Sequence, residues 1–371
     1  YTGLTTVSTG TLQVGAGGSA GSLYASGSVS VSSGAVLAFN ETDAVIQGTD
    51  FGTVISGAGT LMQIGSGTLV LSGSNTYGGG TRLNAGSLFV NSANALGTGS
   101  LTISSFTTLG NTSGSALTLS NNNAQVWAGS FNFVGSSDLN LGSGSVTLSA
   151  DSRVTVTAGA LIVGGRIGGG YALAKSGNGT LTLAGSNTFS GGVTLSQGTL
   201  NLNTTTALGS AASLFTILGG SFDNTSGSAL ALGNNNAQVW SGDFVFKGSS
   251  NLSMGTGSVS LAGNSSVTVN AGTLTEGGVI SGAYSLSKAG NGVLTLSGTN
   301  TFSGGIIVSA GTLNINSATA LGAGVSRFTI SGGFIDNTSG TALTLINNNT
   351  QTWNADFTFR GSNNLNFGAG T

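Results

Sequence analysis

Ten carboxylates are the residues in this chain best suited to chemistry: Glu41, Asp43, Asp50, Asp138, Asp151, Asp223, Asp243, Glu276, Asp336 and Asp356. Paired carboxylates at short range cleave glycosidic bonds, one as acid and the other as base or nucleophile. Glu41 and Asp43, in FNETDA, share one strand face if that stretch is extended. Neither has a basic partner nearby, and a turn is the simpler reading. Asp151 and Arg153, in DSR, are spaced to pair on the surface, which is worth under about 1 kcal/mol. The chain has no His, so the commonest general base and metal ligand is missing. It has no Cys, which excludes disulfides and thiolate metal sites. The eight cations, Arg82, Arg153, Arg166, Lys175, Lys247, Lys288, Arg327 and Arg360, never cluster, and the net charge is −2. Nothing there matches a nucleic acid or an anionic membrane.

Other residue types invite binding hypotheses. Trp127, Trp240 and Trp353 could stack on a carbohydrate. In NAQVWSGDFVF, however, Trp240 shares parity with Phe244 and Phe246, while the position of Val245 is Asn132 or Thr358 in related stretches. The variable position should face solvent, so parity predicts core packing for Trp240 unless a bulge at Gly242 shifts the register. The NNN triplets at 121–123, 234–236 and 347–349 read as corners, where Asn tolerates left-handed dihedrals, rather than as a polar shelf. Asn111–Thr112–Ser113 and its mates fit an N-x-S/T sequon. Thr155/Thr157 and Thr180/Thr182 resemble ice-binding pairs but do not recur on every coil. No GGxGxD nonapeptide occurs, so a calcium β-roll is not supported.

The elements that must position these residues follow from composition. The chain has 67 Gly, no Pro and only 5% charged residues. Its apolar residues come in short alternating runs such as TLTL, TLNL, FVFK and SVTV, the period of a half-buried strand. Proline interrupts inter-strand ladders, and its absence fits a backbone whose N–H groups are mostly engaged. No stretch is long and apolar enough for a membrane-spanning helix.

One sentence is written three times, at a constant step: NTSGSALTLSNNNAQVW (Asn111–Trp127), NTSGSALALGNNNAQVW (Asn224–Trp240) and NTSGTALTLINNNTQTW (Asn337–Trp353). Lys175 and Lys288, Phe189 and Phe302, Asp223 and Asp336, and Asp243 and Asp356 keep the same step. Residues 61–371 thus read as about three copies of a 113-residue unit, and residues 1–60 as divergent opening coils of the same architecture. Asn364–Thr371 matches Asn251–Ser258, where the earlier copy carries on, and residue 1 is Tyr rather than Met. The expectation is a fragment truncated at its C-terminus. Within a unit, Gly/Asn/Ser turns mark five segments of about 19–28 residues, each with two or three short strands. The predicted fold is all-β: a right-handed parallel β-helix, or β-solenoid, with five coils per 113-residue repeat. At roughly 4.8 Å per rung, 15 to 18 coils would make a rod of about 70–85 Å. Mates such as Asp223 and Asp336 would then lie about 24 Å apart, too far for joint catalysis.

GNGTLTLAGSNTFSGGVTLSQGTLNLN (Gly177–Asn203) resembles the autotransporter-associated β-strand repeat of bacterial passenger domains. GSGTLVLSGSNTYGGGTRLNAGSLFVN (Gly65–Asn91) and GNGVLTLSGTNTFSGGIIVSAGTLNIN (Gly290–Asn316) carry it too, and GLTTVSTGTLQVG is a weaker copy. The resemblance implies a right-handed β-helix at the outer membrane or outside a Gram-negative-type bacterium, serving as stalk, adhesin or display scaffold. The function read from this is an extracellular structural or adhesive rod or filament, not an enzyme. No catalytic residue, cofactor-binding residue or metal ligand is assigned, and no cofactor. The implied partners are further copies joined end to end, surface glycans or neighbouring cells, with no nucleic acid and no membrane-spanning segment. The competing reading is a polysaccharide-binding or polysaccharide-cleaving β-helix, with a groove of acids and aromatics at Phe39–Phe51.

Overall fold

The computed structural model describes residues 3–19, 21–23 and 27–370; Tyr1 and Thr371, which bound the repeat assignment above, lie outside them. Every described residue in regular structure belongs to a short strand or an isolated bridge, and none to a helix. The described part of the chain falls into two compact units, Tyr1–Phe189 and Ser190–Thr371. Each is a parallel β-solenoid, and together they hold about 16 turns.

In the first unit the faces build up from strands one coil apart. One sheet runs from Thr11–Gly18 through Val36–Glu41, Thr60–Gln63, Thr81–Leu83, Leu101–Ser104, Gln125–Ala128 and Val146–Leu148 to Ile167–Gly168. A second stacks Ala44–Ile46, Thr68–Leu71, Ser87–Val90, Thr107–Asn111, Phe131–Gly135, Ser152–Val156 and Leu173–Ser176. A third face adds Leu117–Thr118, Leu139–Asn140, Ala160–Val163 and Thr180–Leu183. The pairings are parallel, as in Thr107–Asn111 against Phe131–Gly135. Parallel neighbours require a crossover, and here each crossover is the remainder of a coil.

The second unit repeats the plan. Val193 pairs with Phe215, Phe215 with Gln238, Gln238 with Val259 and Val259 with Ile280, so each coil returns the chain to the same face. The next face stacks Thr199–Leu202, Ser221–Asp223, Phe244–Phe246, Ser265–Val269, Leu286–Ala289, Ile306–Val308, Phe328–Ile330 and Gln351–Trp353. Val193–Leu195 and Ile306–Val308 occupy equivalent places in the 113-residue unit, yet they lie on different faces. Five coils carry the chain from Val193 to Phe302, whose N–H donates to Ile280 O on the first face. The following strand, Ile306–Val308, pairs with Leu286–Ala289 one face further on. Each copy therefore completes five coils and advances by one face. The Trp240 strand lies on the first face and the Trp353 strand on the second.

Alternation sets the core. Phe244 and Phe246 are buried and Val245 is half-exposed; Val267 and Val269 are buried and Thr268 is half-exposed. Inward Leu, Val, Ile and Phe stack rung on rung, and their burial is the main driving force for closing each coil on the next. Trp127 and Trp240 are fully buried, so the parity argument holds and neither residue forms an exposed stripe. Each indole meets a phenylalanine edge-on, Phe131 and Phe244 respectively, at 5.0 Å. Each indole N–H donates to a glutamine two positions earlier, Gln125 or Gln238, at 3.1 Å. Trp353 differs: it is 61% exposed, because no strand corresponding to Val146–Leu148 or Val259–Leu261 covers it among the described residues.

Candidate functional site

The carboxylates are built into the coil-to-coil stacking. Asp138 Oδ1 accepts the Ala160 N–H and Asp151 Oδ1 the Ala172 N–H, each at 2.8 Å across one coil step. Asp243 Oδ1 accepts the Ser266 N–H in the same way. Their mates one repeat away show what these positions require. Asn251 stands where Asp138 does and accepts the Thr273 N–H; Asn264 stands for Asp151 and accepts the Ser285 N–H. Ser130 stands for Asp243, and its hydroxyl accepts the Arg153 N–H. A position that takes Asp, Asn or Ser needs a hydrogen-bond acceptor, not a negative charge. Asp151 and Arg153 form no ion pair among the described residues.

Asp223 and Asp336 each gather several donors. Asp223 Oδ1 accepts the N–H groups of Asn224, Gly248 and Ser249, and its other oxygen accepts the Ser249 hydroxyl. Asp336 repeats this with Asn337 and Ser362. The hydrogen bonds from Ser362 and Asn337 and the nearby Arg360 outweigh desolvation and hold the Asp336 carboxyl below its usual range. Both are nests of backbone donors that pin a corner.

Glu276 is the exception, with its carboxylate sealed in the core. Gln238 Nε2 donates to Oε2 at 2.9 Å and the Gly278 N–H to Oε1 at 3.0 Å. Burial outweighs both bonds and pushes its pKa up to about 8. The equivalent residue one repeat earlier is Val163, so the acid is not a shared feature of the copies. Glu41 is buried too, and both its oxygens lack a hydrogen-bond partner among the described residues. It lines an opening of about 260 Å³ with Asp43 and Asp50. The expected aromatic lining is absent there, because Phe39 and Phe51 are fully buried against each other at 4.8 Å. The groove at Phe39–Phe51 thus has acids without stacking platforms. Among the described residues, no group of three or more His, Cys, Asp or Glu is placed to hold a metal ion.

The NNN triplets are corners of a particular kind. The middle residues Asn122, Asn235 and Asn348 have φ of 48°, 49° and 50°. Their Oδ1 atoms reach forward to the N–H of Ser143, Thr256 and Ala369 in the next coil. The flanking residues reach back: Asn234 Nδ2 donates to Gly209 O, and Asn236 Nδ2 to Ser210 O and Ser213 O. Each triplet ties three successive coils. The sequon asparagines are equally committed. Asn224 is buried, and its amide donates to Ser228 O and Asn251 O, so it cannot present itself to a glycosyltransferase. It anchors the exposed loop 225–229, and Asn111 and Asn337 anchor the loops 112–116 and 338–342. Thr182 is buried, which removes one member of the proposed Thr-x-Thr pairs from any flat surface.

A set of corner donors escapes a reading of the sequence alone. Lys288 is fully buried, and its Nζ donates to the carbonyls of Ala289, Gly290 and Ala310; burial lowers its pKa to about 8. Lys175, also pushed down to about 8 by burial, donates to Ser176 O and Gly177 O. Gln63 fills the matching place and donates to Gly65 O and Gly67 O. The signal is present in LMQIG, LAKSG and LSKAG, where a long polar donor precedes a glycine turn.

The structure is thus a parallel solenoid in which Asp138, Asp151, Asp243, Lys175 and Lys288 bond backbone groups. The passenger-associated-transport-repeat family matches at residues 1–14, 63–89, 173–202 and 286–315. Over 79 residues the chain is 38% identical to "Adhesin BmaC autotransporter" of Brucella suis biovar 1 (strain 1330), a match that covers 21% of this chain and 2% of that protein. The chain therefore spans only a small part of that relative's length. No solved structure matches the chain. Over these four stretches the chain is similar to autotransporter passenger repeats, a similarity that fits a location outside the cell or on its surface.

Proposed function

We propose that the chain is a non-catalytic adhesive segment of a bacterial surface protein, whose coils provide reach and present repeated polar loops to a partner surface. The observation that carries this reading is the exchange of Asp138 for Asn251, Asp151 for Asn264 and Ser130 for Asp243 at equivalent caps. It favours a scaffold over a hydrolase. The relative named as an adhesin supports the adhesive part. The loops 112–116, 225–229 and 338–342 are near-identical and exposed. In the second unit the last two sit at successive corners, because the repeat advances by one face per copy. One loop sequence is thereby shown in more than one direction, which suits multivalent contact and, in a longer array, contacts between copies.

The test coats beads with the purified chain and measures their retention on epithelial cells and on abiotic surfaces, alongside reducing-sugar release from a polysaccharide panel. Retention above uncoated beads with no sugar release is expected. Sugar release abolished by Glu41→Gln would overturn the non-catalytic reading, and retention no better than bare beads would overturn the adhesive one.

A further inference from the structure

Phe106 is 93% exposed and holds a left-handed backbone conformation, φ 63°. Both facts run against its chemistry, since a bulky aromatic side chain is disfavoured in that region and gains nothing from standing in water. The turn itself does not require phenylalanine. At the 113-residue step the residues equivalent to Phe106 are Gly219 and Gly332, so the other two copies hold glycine at this turn position. Glycine is the residue this backbone calls for. Strain that the other copies avoid, at a fully presented ring, points to use of that ring.

The surroundings fit. Phe106 and Arg153 border two adjoining depressions, one of about 400 Å³ that also includes Ser130, Asp151 and Ala172, and one of about 80 Å³. The larger falls in the size range of small-ligand sites, ~300–1,000 Å³. Among the described residues the Arg153 guanidinium has no ion pair or hydrogen bond, although Asp151 is only two positions away. Asp151 spends one oxygen on the Ala172 N–H, which fixes the carboxylate and leaves the other oxygen available. The Ser130 hydroxyl accepts the Arg153 N–H and holds that strand against the turn. None of these residues lies in a segment matched by the repeat family. Neither side chain recurs: Ser266 takes the place of Arg153 one repeat later, as Gly219 takes that of Phe106.

We infer that Phe106, Asp151 and Arg153 form a binding site for one neutral hexopyranose unit of a glycan. The ring supplies a platform for the sugar's C–H face. Asp151 accepts from one hydroxyl and Arg153 donates to its neighbour, a donor–acceptor pair matched to vicinal hydroxyls. The charges of Asp151 and Arg153 cancel, which disfavours a sugar carrying its own carboxylate. This site rests on the adhesive reading and gives it a ligand class.

The test applies the full purified chain to an array of neutral, sialylated and uronate glycans, with Phe106→Gly, Phe106→Trp and Arg153→Ala compared by bead retention on cells before and after mild periodate treatment. Binding should be confined to neutral hexose termini. Phe106→Gly should lose about tenfold in affinity while its Tm stays level or rises, because glycine relieves the turn. Phe106→Trp should keep binding, and Arg153→Ala should weaken it. Three results would overturn the site: no neutral glycan bound, binding restricted to acidic sugars, or Phe106→Gly binding like the wild type. Periodate-resistant retention that is nonetheless lost in Phe106→Gly would also overturn it, and would assign the ring to a protein partner. Beads that adhere without any glycan on the array remove this site alone, whereas beads that never adhere remove the adhesive reading with it.

Discussion

Glu276 occupies a core position where Val163 packs in the preceding copy, and the energetic consequence depends on pH. Its folded pKa of about 8 lies above the usual carboxylate value of 4.5. The folded state therefore holds the proton more tightly than the unfolded chain does. The stability this provides is complete below pH ~4.5 and is lost as pH rises through about 8, by on the order of 5 kcal/mol in total. Glu276→Gln cannot ionise, and its one amide oxygen can keep the bond from Gly278 or that from Gln238 but not both. Thermal melts from pH 4 to 9 should show the wild-type Tm falling across that window relative to Glu276→Gln, and parallel profiles would contradict this. The tryptophans give a second prediction at the same scale. Trp240→Ala empties a sealed position and leaves Gln238 without its indole donor, costing about 3–5 kcal/mol. Trp353→Ala, at an exposed position, should stay within ~0.5 kcal/mol when both variants are measured by urea titration.

Strand, corner and clamp form the next scale. The alternation in FVFK and SVTV announces which side chains turn inward, and the structure buries Phe244, Phe246, Val267 and Val269. The corner role of NNN is legible because Asn is the non-glycine residue best suited to positive φ. What the triplet grips is not legible, since Asn236 bonds Ser210 and Ser213 in the coil before. Contacts between coils depend on a partner one full turn away, which no local pattern displays. The same blindness hides Lys175 and Lys288, which composition reads as surface charges. Glu41 shares the parity of Leu37 and Phe39, so its inward direction is legible, whereas the lack of a hydrogen-bond partner for its oxygens is not. Asn236→Ala should leave two buried carbonyls poorly satisfied and cost ~1–3 kcal/mol, whereas Asn235→Gly suits the left-handed backbone and loses only the Thr256 cap, a smaller effect. Urea midpoints of the two variants rank them, and equal values would show that the backward clamp does not matter.

At the scale of the whole chain, the 113-residue period is plain in the sequence and its angular meaning is not. Dividing the unit at its turns yields five segments, but Val193–Leu195 and Ile306–Val308 show that a copy ends one face beyond five coils. The extra strand position disappears in the sequence because Thr301–Phe302 fills a face without forming a strand. The adhesive proposal depends on this arrangement, since a surface read by a partner is the set of outward side chains that parallel register brings together. Register is therefore the claim to test. The chain contains no cysteine, so introduced pairs report without interference. Val239 and Ser260 are register partners on consecutive coils, both directed outward. Adjacent parallel strands place Cα atoms within the ~4.4–6.8 Å that a disulfide spans. Val239→Cys with Ser260→Cys should oxidise to an intramolecular disulfide under mild conditions, while Val239→Cys with Val245→Cys, on neighbouring faces of one coil, should remain reduced. Failure of the first pair to close, or equal closure of both, would contradict a stack of parallel coils.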